Sequence, residues 1–242
     1  LKFRTAAQTQ TGSRAEIDEG LRSYMLGVYN YMALGVAFTA IVTLFMANNP
    51  ALMLTVAAGP MKWVLFAGIL GLGWFAPRLI FSGNPVMAHG AYWLYAGLWG
   101  LLISPMVAYY MNVDGGGLII RALGITAITF AATSLVGYVT KRNLSALGTF
   151  FMIACIGLIL AMIANVLIFQ SELMSVIVSC IVVLVFAGIT AYETQMIKEM
   201  YVSGEGGTAV RQKSIFGAFM LYGSFITLFI HILNILGFMS SD

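Results

Sequence analysis

Seven apolar stretches follow one another along the 242 residues, at about 24–47, 61–81, 86–110, 118–139, 145–168, 174–197 and 215–238. A membrane span needs about 20 mostly apolar residues, and these stretches take up most of the chain. The pattern predicts an all-α membrane protein with seven transmembrane helices in a single domain, 23–242. The last stretch differs from the other six. It sets Gly217, Ser224, Thr227, His231 and Asn234 at three- and four-residue spacing, with Met220 filling one gap, among Leu, Ile, Phe and Met. That spacing puts them on one helical face. A polar group in hydrocarbon without a partner costs several kcal/mol. The face must therefore meet protein or water. The seventh span is predicted to be the most buried helix, with Ser224, Thr227 and His231 turned toward other helices.

Composition points the same way. Hydrophobic residues make up 60% of the chain and charged residues 9%, against about 25% charged in a soluble domain. The partner this calls for is a lipid bilayer, and nothing suggests nucleic acid. Residues 1–22 are polar, of mixed charge, and lack the apolar core of a signal peptide. They are expected to form a flexible cytoplasmic tail. With the N-terminus in the cytoplasm, ten of the twelve Lys and Arg fall on the cytoplasmic side and only Lys62 and Arg121 on the other. The positive-inside rule then puts the N-terminus inside and Ser240-Ser241-Asp242 outside.

The connections are short, and the longest, from Lys198 to Lys213, contains Ser203-Gly204-Glu205-Gly206-Gly207-Thr208. Pro60 and Pro85 fall near helix starts. Pro105 lies inside the third span and is expected to kink it. Glycines within spans, such as Gly68, Gly71, Gly73, Gly97 and Gly100, read as close-packing positions. Trp63 and Trp74 mark opposite ends of the second span. Cys155 and Cys180 read as small apolar fillers, and His89 as an interfacial or packing residue. No His/Cys cluster supports zinc or haem.

Glu193 is the one acid well inside an apolar run, roughly 7 Å inward of Lys198 at 1.5 Å per residue. It reads in two ways. An intramembrane carboxylate points to a functional site. An acid this near the interface can instead snorkel and pair with Lys198. Arg78, at the same level on the second span, is a candidate partner for Glu193 or an ordinary positive-inside anchor. Enzyme chemistries find little support. A retinal protein needs a lysine within its last helix, where only Lys213 stands, at the very start. Ser224 and His231 are about 10 Å apart along one helix, too far to form a catalytic dyad.

Several segments resemble the Bax inhibitor-1 family. They are Ala191-Tyr192-Glu193-Thr194-Gln195-Met196-Ile197-Lys198 closing the sixth span, Leu221-Tyr222-Gly223-Ser224-Phe225-Ile226-Thr227-Leu228-Phe229 in the seventh, the later Ile235-Leu236-Gly237-Phe238, and Leu21-Arg22-Ser23-Tyr24-Met25 opening the first. The resemblance covers the chain from Arg22 onward. It implies two three-helix layers around a central seventh helix, and a cation leak, chiefly of Ca²⁺, gated by pH. In conducting members two acids, on the sixth and seventh helices, share a proton, and an arginine of the second helix latches onto one. Glu193 matches the first acid and Arg78 falls near the arginine. Ser224 stands in place of the second acid.

Two close carboxylates titrate as a coupled pair, and Glu193 with a serine loses that coupling. It also leaves a poorer Ca²⁺ site, because the ion takes six to eight oxygens. The Glu/Ser combination resembles the bacterial branch typified by the modulator of the FtsH protease. The resemblance therefore supports two functions. One is a pH-sensitive Ca²⁺ leak along the seventh helix, gated at Glu193, Ser224 and Arg78, with Glu193 as the candidate Ca²⁺ ligand and no resident cofactor. Release of the Arg78 latch at low pH would open it. The other is an interaction protein modulating a membrane-bound ATP-dependent protease, with the polar tail as its handle. Either belongs in a bacterial inner membrane.

Overall fold

The computed structural model describes residues 2–57 and 59–240, with side chains from Glu19 onward except at Ala57. The helices are α1 (Lys2–Ala47), α2 (Pro50–Ala57), α3 (Met61–Ile80), α4 (Pro85–Asp114), α5 (Gly117–Val139), α6 (Gly148–Ala164), α7 (Glu172–Glu199) and α8 (Gly207–Met239). Seven segments are long and apolar enough to cross a membrane, beginning with Glu19–Ala47 and ending with α8. Their bounds lie within a few residues of the hydropathy pattern, except that α1 and α8 begin earlier. The eight-residue α2, in the connection after the first span, has no counterpart in that pattern. It is too short to cross a bilayer.

The backbone of residues 2–18 continues α1 as helix, where a flexible tail is expected from the charge pattern. That stretch has no proline, and its Ala, Gln and Arg residues favour helix. The far tail residues Ser241 and Asp242 lie outside the described residues.

Local chemistry sets the helix ends. Asn84 Oδ1 caps α4 by accepting from Val86 N at 2.9 Å, with Pro85 at the first helical position. Ser171 caps α7 by accepting from Met174 N at 3.3 Å. The two-residue turn from α4 to α5 needs left-handed backbone at Gly115 and Gly116, φ 57° and 89°, which glycine adopts without steric cost. α6 runs on into a π-helical turn, Asn165–Phe169. There the Asn165 side chain holds Ser171 twice, donating to its carbonyl at 3.0 Å and accepting from its N–H at 3.1 Å.

Two prolines interrupt helices. Pro105 has no N–H for the Leu101 carbonyl, and the Ser104 hydroxyl donates to that carbonyl at 2.7 Å instead. Pro77 likewise leaves the Gly73 carbonyl without its helical donor.

The helices form two groups. α1, α4 and α3 pack in that order on one side, and α5, α7 and α6 on the other. α8 lies between them and touches α1, α3, α4, α5 and α7. In its most apolar window 67% of residues are buried, against 50% for α4 and less for the other spans. This is the arrangement of two three-helix layers about a central seventh span.

Some glycines permit close approach. A Cβ on Gly217 would stand 2.9 Å from Ile197 and 3.2 Å from Val28, and one on Gly100 would stand 2.9 Å from Val42. Gly71 and Gly73 are different: a Cβ there would meet nothing within 4 Å. They are not packing positions. Trp63 and Trp74 are both exposed, as interface anchors are.

Span ends carrying basic residues meet at one end of the bundle. Lys198 at the end of α7 donates to the Tyr138 carbonyl at 2.8 Å, near the end of α5, and lies 5.2 Å from the Tyr138 ring centroid. Lys213 near the start of α8 is hydrogen-bonded to the Met200 carbonyl and paired with Glu205. Phe81 after α3 packs on Phe216, and Tyr24 of α1 stacks on Tyr201.

Candidate functional site

α7 reaches its neighbours through consecutive side chains at this same end. Thr194 turns toward α5, where its Oγ1 meets Ser134 Oγ at 2.9 Å, and Ser134 in turn meets Tyr29 OH of α1 at 2.7 Å. Gln195 clamps the connection after α5, donating to the Arg142 carbonyl at 2.9 Å and accepting from Leu144 N at 2.7 Å. With Thr194, Gln195 and Lys198 all bonded to the α5 side, the segment is pinned in rotation about its own axis. Glu193 then points the other way.

Glu193 faces α8. Ser224 Oγ donates to Glu193 Oε2 at 2.7 Å, a charge-assisted distance. Both residues line a cavity of about 330 Å³ whose other walls include Gly73 of α3, Tyr95 of α4, Phe186 of α7, and Gly223 and Thr227 of α8. The cavity thus offers one carboxylate, hydroxyls at Ser224 and Thr227 and the Tyr95 phenol, set among the apolar side chains of Phe186, Phe219 and Met220. These are hard oxygen ligands of the kind alkaline-earth cations take. Glu193 is the only acid among them. Among the described residues, no three His, Cys, Asp or Glu gather into a metal-binding group.

The structure brings Glu193 and Ser224 together but does not bring Arg78 to them. The Arg78 side chain is exposed, and the one ion pair among the described residues is Lys213 with Glu205. Arg78 lies five residues beyond Gly73, about 7.5 Å along α3. A guanidinium at an aqueous boundary keeps its hydration, so nothing draws it inward to a carboxylate already bonded to Ser224. The expected Glu193–Arg78 latch is not formed. The Lys198–Glu193 pair is not formed either, because Lys198 is held over Tyr138.

The rest of the polar seam divides. Gly217 serves packing, as above. Thr227 Oγ1 donates to the Gly223 carbonyl of its own helix at 2.9 Å and borders the Glu193 cavity. His231 and Asn234 belong to a separate cluster two to three turns further along α8. There Ser179 Oγ donates to the Ser175 carbonyl at 2.8 Å. Ser179 Oγ also accepts from Asn234 Nδ2 at 2.8 Å and lies 3.0 Å from His231 Nδ1, a hydrogen bond whose direction is set by the His231 tautomer. Asn234 also donates to Ser175 Oγ at 3.1 Å.

Tyr95 and Gly73 are site members that the residue pattern does not single out for the site. Tyr95 carries no signal, since aromatic residues are frequent throughout the spans.

An all-α, seven-span membrane protein, with a carboxylate hydrogen-bonded inside a cavity beside its central helix, is what the fold and site define. The profile of the family described as inhibitor of apoptosis-promoting Bax1 matches residues 21–241. The chain belongs to this Bax inhibitor-1 family. It is 37% identical over 242 residues to the uncharacterized protein RP147 of Rickettsia prowazekii (strain Madrid E), covering 96% of this chain and 97% of the relative. It is 37% identical over 217 residues to an uncharacterized protein of Deinococcus radiodurans, covering 89% and 90%. It is 34% identical over 221 residues to the inner membrane protein YbhL of Escherichia coli (strain K12), covering 90% and 92%.

Proposed function

We propose that this protein is a cation leak pathway, with Ca²⁺ as the ion, running beside α8 through the cavity that Glu193 borders. The observation that supports this reading most is the Glu193 carboxylate itself, held by Ser224 in a largely apolar cavity where the hydroxyl-bearing Thr227 and Tyr95 are the other polar side chains. A carboxylate inside a bundle is costly unless something uses its charge. A single acid with neutral oxygens suits a weak, passing site, where an ion must be able to leave as well as enter. We place the protein in a bacterial inner membrane with its N-terminus in the cytoplasm, on the basic span ends gathered at one face and on the relative YbhL. With no arginine latch, protonation of Glu193 removes the cation's charged ligand, so the leak is expected to weaken as Glu193 takes up its proton. In proteoliposomes, Glu193→Gln is expected to lose most of the Ca²⁺ flux. Undiminished flux would contradict the reading.

Modulation of a membrane-bound ATP-dependent protease is the second reading, and the polar, mixed-charge composition of residues 1–18 supports it. Deleting those residues is expected to slow turnover of the protein in a pulse-chase experiment with the protease present. An unchanged half-life would count against this role.

A further inference from the structure

A groove of about 580 Å³ opens between α1 and α5, apart from the Glu193 cavity and sharing no lining residue with it. Here the two helices stand apart, bridged by the Tyr29–Ser134 hydrogen bond. The buried Met25 and Phe130 form the floor, and the exposed Leu26 and Leu135 form the rims. Arg22 stands at the mouth, its side chain exposed. Glu19, one turn before it, makes no ion pair with it among the described residues. Tyr138 closes the same end on α5, and Lys141 and Arg142 follow within four residues.

We propose that this groove binds an anionic phospholipid of the surrounding leaflet, its headgroup on Arg22 and one acyl chain along the floor. The polarity runs in the order an amphiphile needs, a cationic mouth at the end where the basic span ends gather and hydrocarbon further in. From Arg22 to Tyr29 the groove follows seven residues of α1, about 10 Å of its axis. An acyl chain can lie along that apolar floor between Met25 and Phe130, with its headgroup beside the exposed Arg22. Basic pockets between spans are where anionic headgroups bind.

Native mass spectrometry of the full chain in detergent, titrated with phosphatidylglycerol or phosphatidylcholine, tests this. Wild type is expected to retain phosphatidylglycerol in preference. Arg22→Gln should cut that preference about fivefold, the equivalent of about 1 kcal/mol. Ala131→Trp fills the groove from an exposed wall position and should lose retention of both lipids. Leu135→Trp, one turn further along the same wall, repeats the block should the first variant misfold. Undiminished phosphatidylglycerol retention in a folded groove-filling variant would overturn the proposal. So would an anionic preference that survives Arg22→Gln, or dimers abolished by Ala131→Trp, which would make the occupant a second copy.

Discussion

Replacing Ser224 by Asp is expected to make the protein respond to Ca²⁺ in a way the wild type does not. Ser224 Oγ already stands 2.7 Å from Glu193 Oε2, so the new carboxylate arrives within hydrogen-bonding distance of the old one. Two like charges 4 Å apart repel by about 4 kcal/mol at an effective dielectric of 20. Without Ca²⁺ the pair must share a proton or push α7 and α8 apart, and the bundle loses stability. A divalent cation removes the repulsion and gains another charged ligand. Ligand charge count is one of the factors that move Ca²⁺ affinity across decades, and a tightening of about tenfold or more is expected. Saturating Ca²⁺ at about 100 times the dissociation constant would add about 2.7 kcal/mol to folded-state stability. Thermal melts in detergent, with and without Ca²⁺, would show this as a large upward shift for Ser224→Asp and little for wild type. If the variant melts identically in both conditions, positions 193 and 224 do not form a common site.

Gly137→Ala should be the most damaging of the conservative changes. Alanine normally gains about 1 kcal/mol over glycine in a helix. At Gly137 the added methyl would overlap the backbone carbonyl of Ala191 on α7, with the Ala191 C and Cα at 2.8 and 2.9 Å. Backbone cannot rotate away as a side chain can, so α5 and α7 must separate. Overpacking of this kind costs about 1–3 kcal/mol or more. Separation also strains the Ser134–Thr194 bond, one turn away on α5. Gly124→Ala on the same helix meets nothing within 4 Å and is expected to melt at or slightly above wild type. A Gly137→Ala protein as stable as Gly124→Ala would show that α5 and α7 do not approach closely at Gly137 and Ala191.

How much of this is legible in the chain follows from which signals are local. Span count and span limits rest on continuous runs of apolar residues, and the structure departs from them chiefly where polar residues at 2–18 and 207–213 extend α1 and α8. The burial of α8 is legible because Ser224, Thr227, His231 and Asn234 share a face that hydrocarbon would reject. The pairing of Glu193 with Ser224 can be read only through the family resemblance, since residues 31 positions apart have no spacing rule. Arg78 illustrates the converse. Counting residues along the span puts it level with Glu193, but the structure sets Gly73 beside the Glu193 cavity and leaves the Arg78 side chain exposed further along α3. Lys198 likewise faces a choice between the acid of its own helix and a carbonyl on α5, and only the packing of α5 against α7 decides it. The helix α2 escapes notice because a short apolar run in a connection resembles the tail of a span. The second cluster, His231 with Ser179 and Asn234, needs the register of α7 against α8, which no pattern within either helix encodes.

The central claim is that Glu193 is the charged ligand of a cation path beside α8. Its most direct test is Ca²⁺ flux into proteoliposomes, followed from mildly acidic to mildly alkaline pH, for wild type and Glu193→Gln side by side. Wild-type flux is expected to follow a single-proton titration, falling on the acid side. Glu193→Gln is expected to give a much lower flux with no dependence on pH, while the substituted amide keeps its bond to Ser224 and the fold is unchanged. Equal fluxes with the same pH profile in both proteins would contradict it.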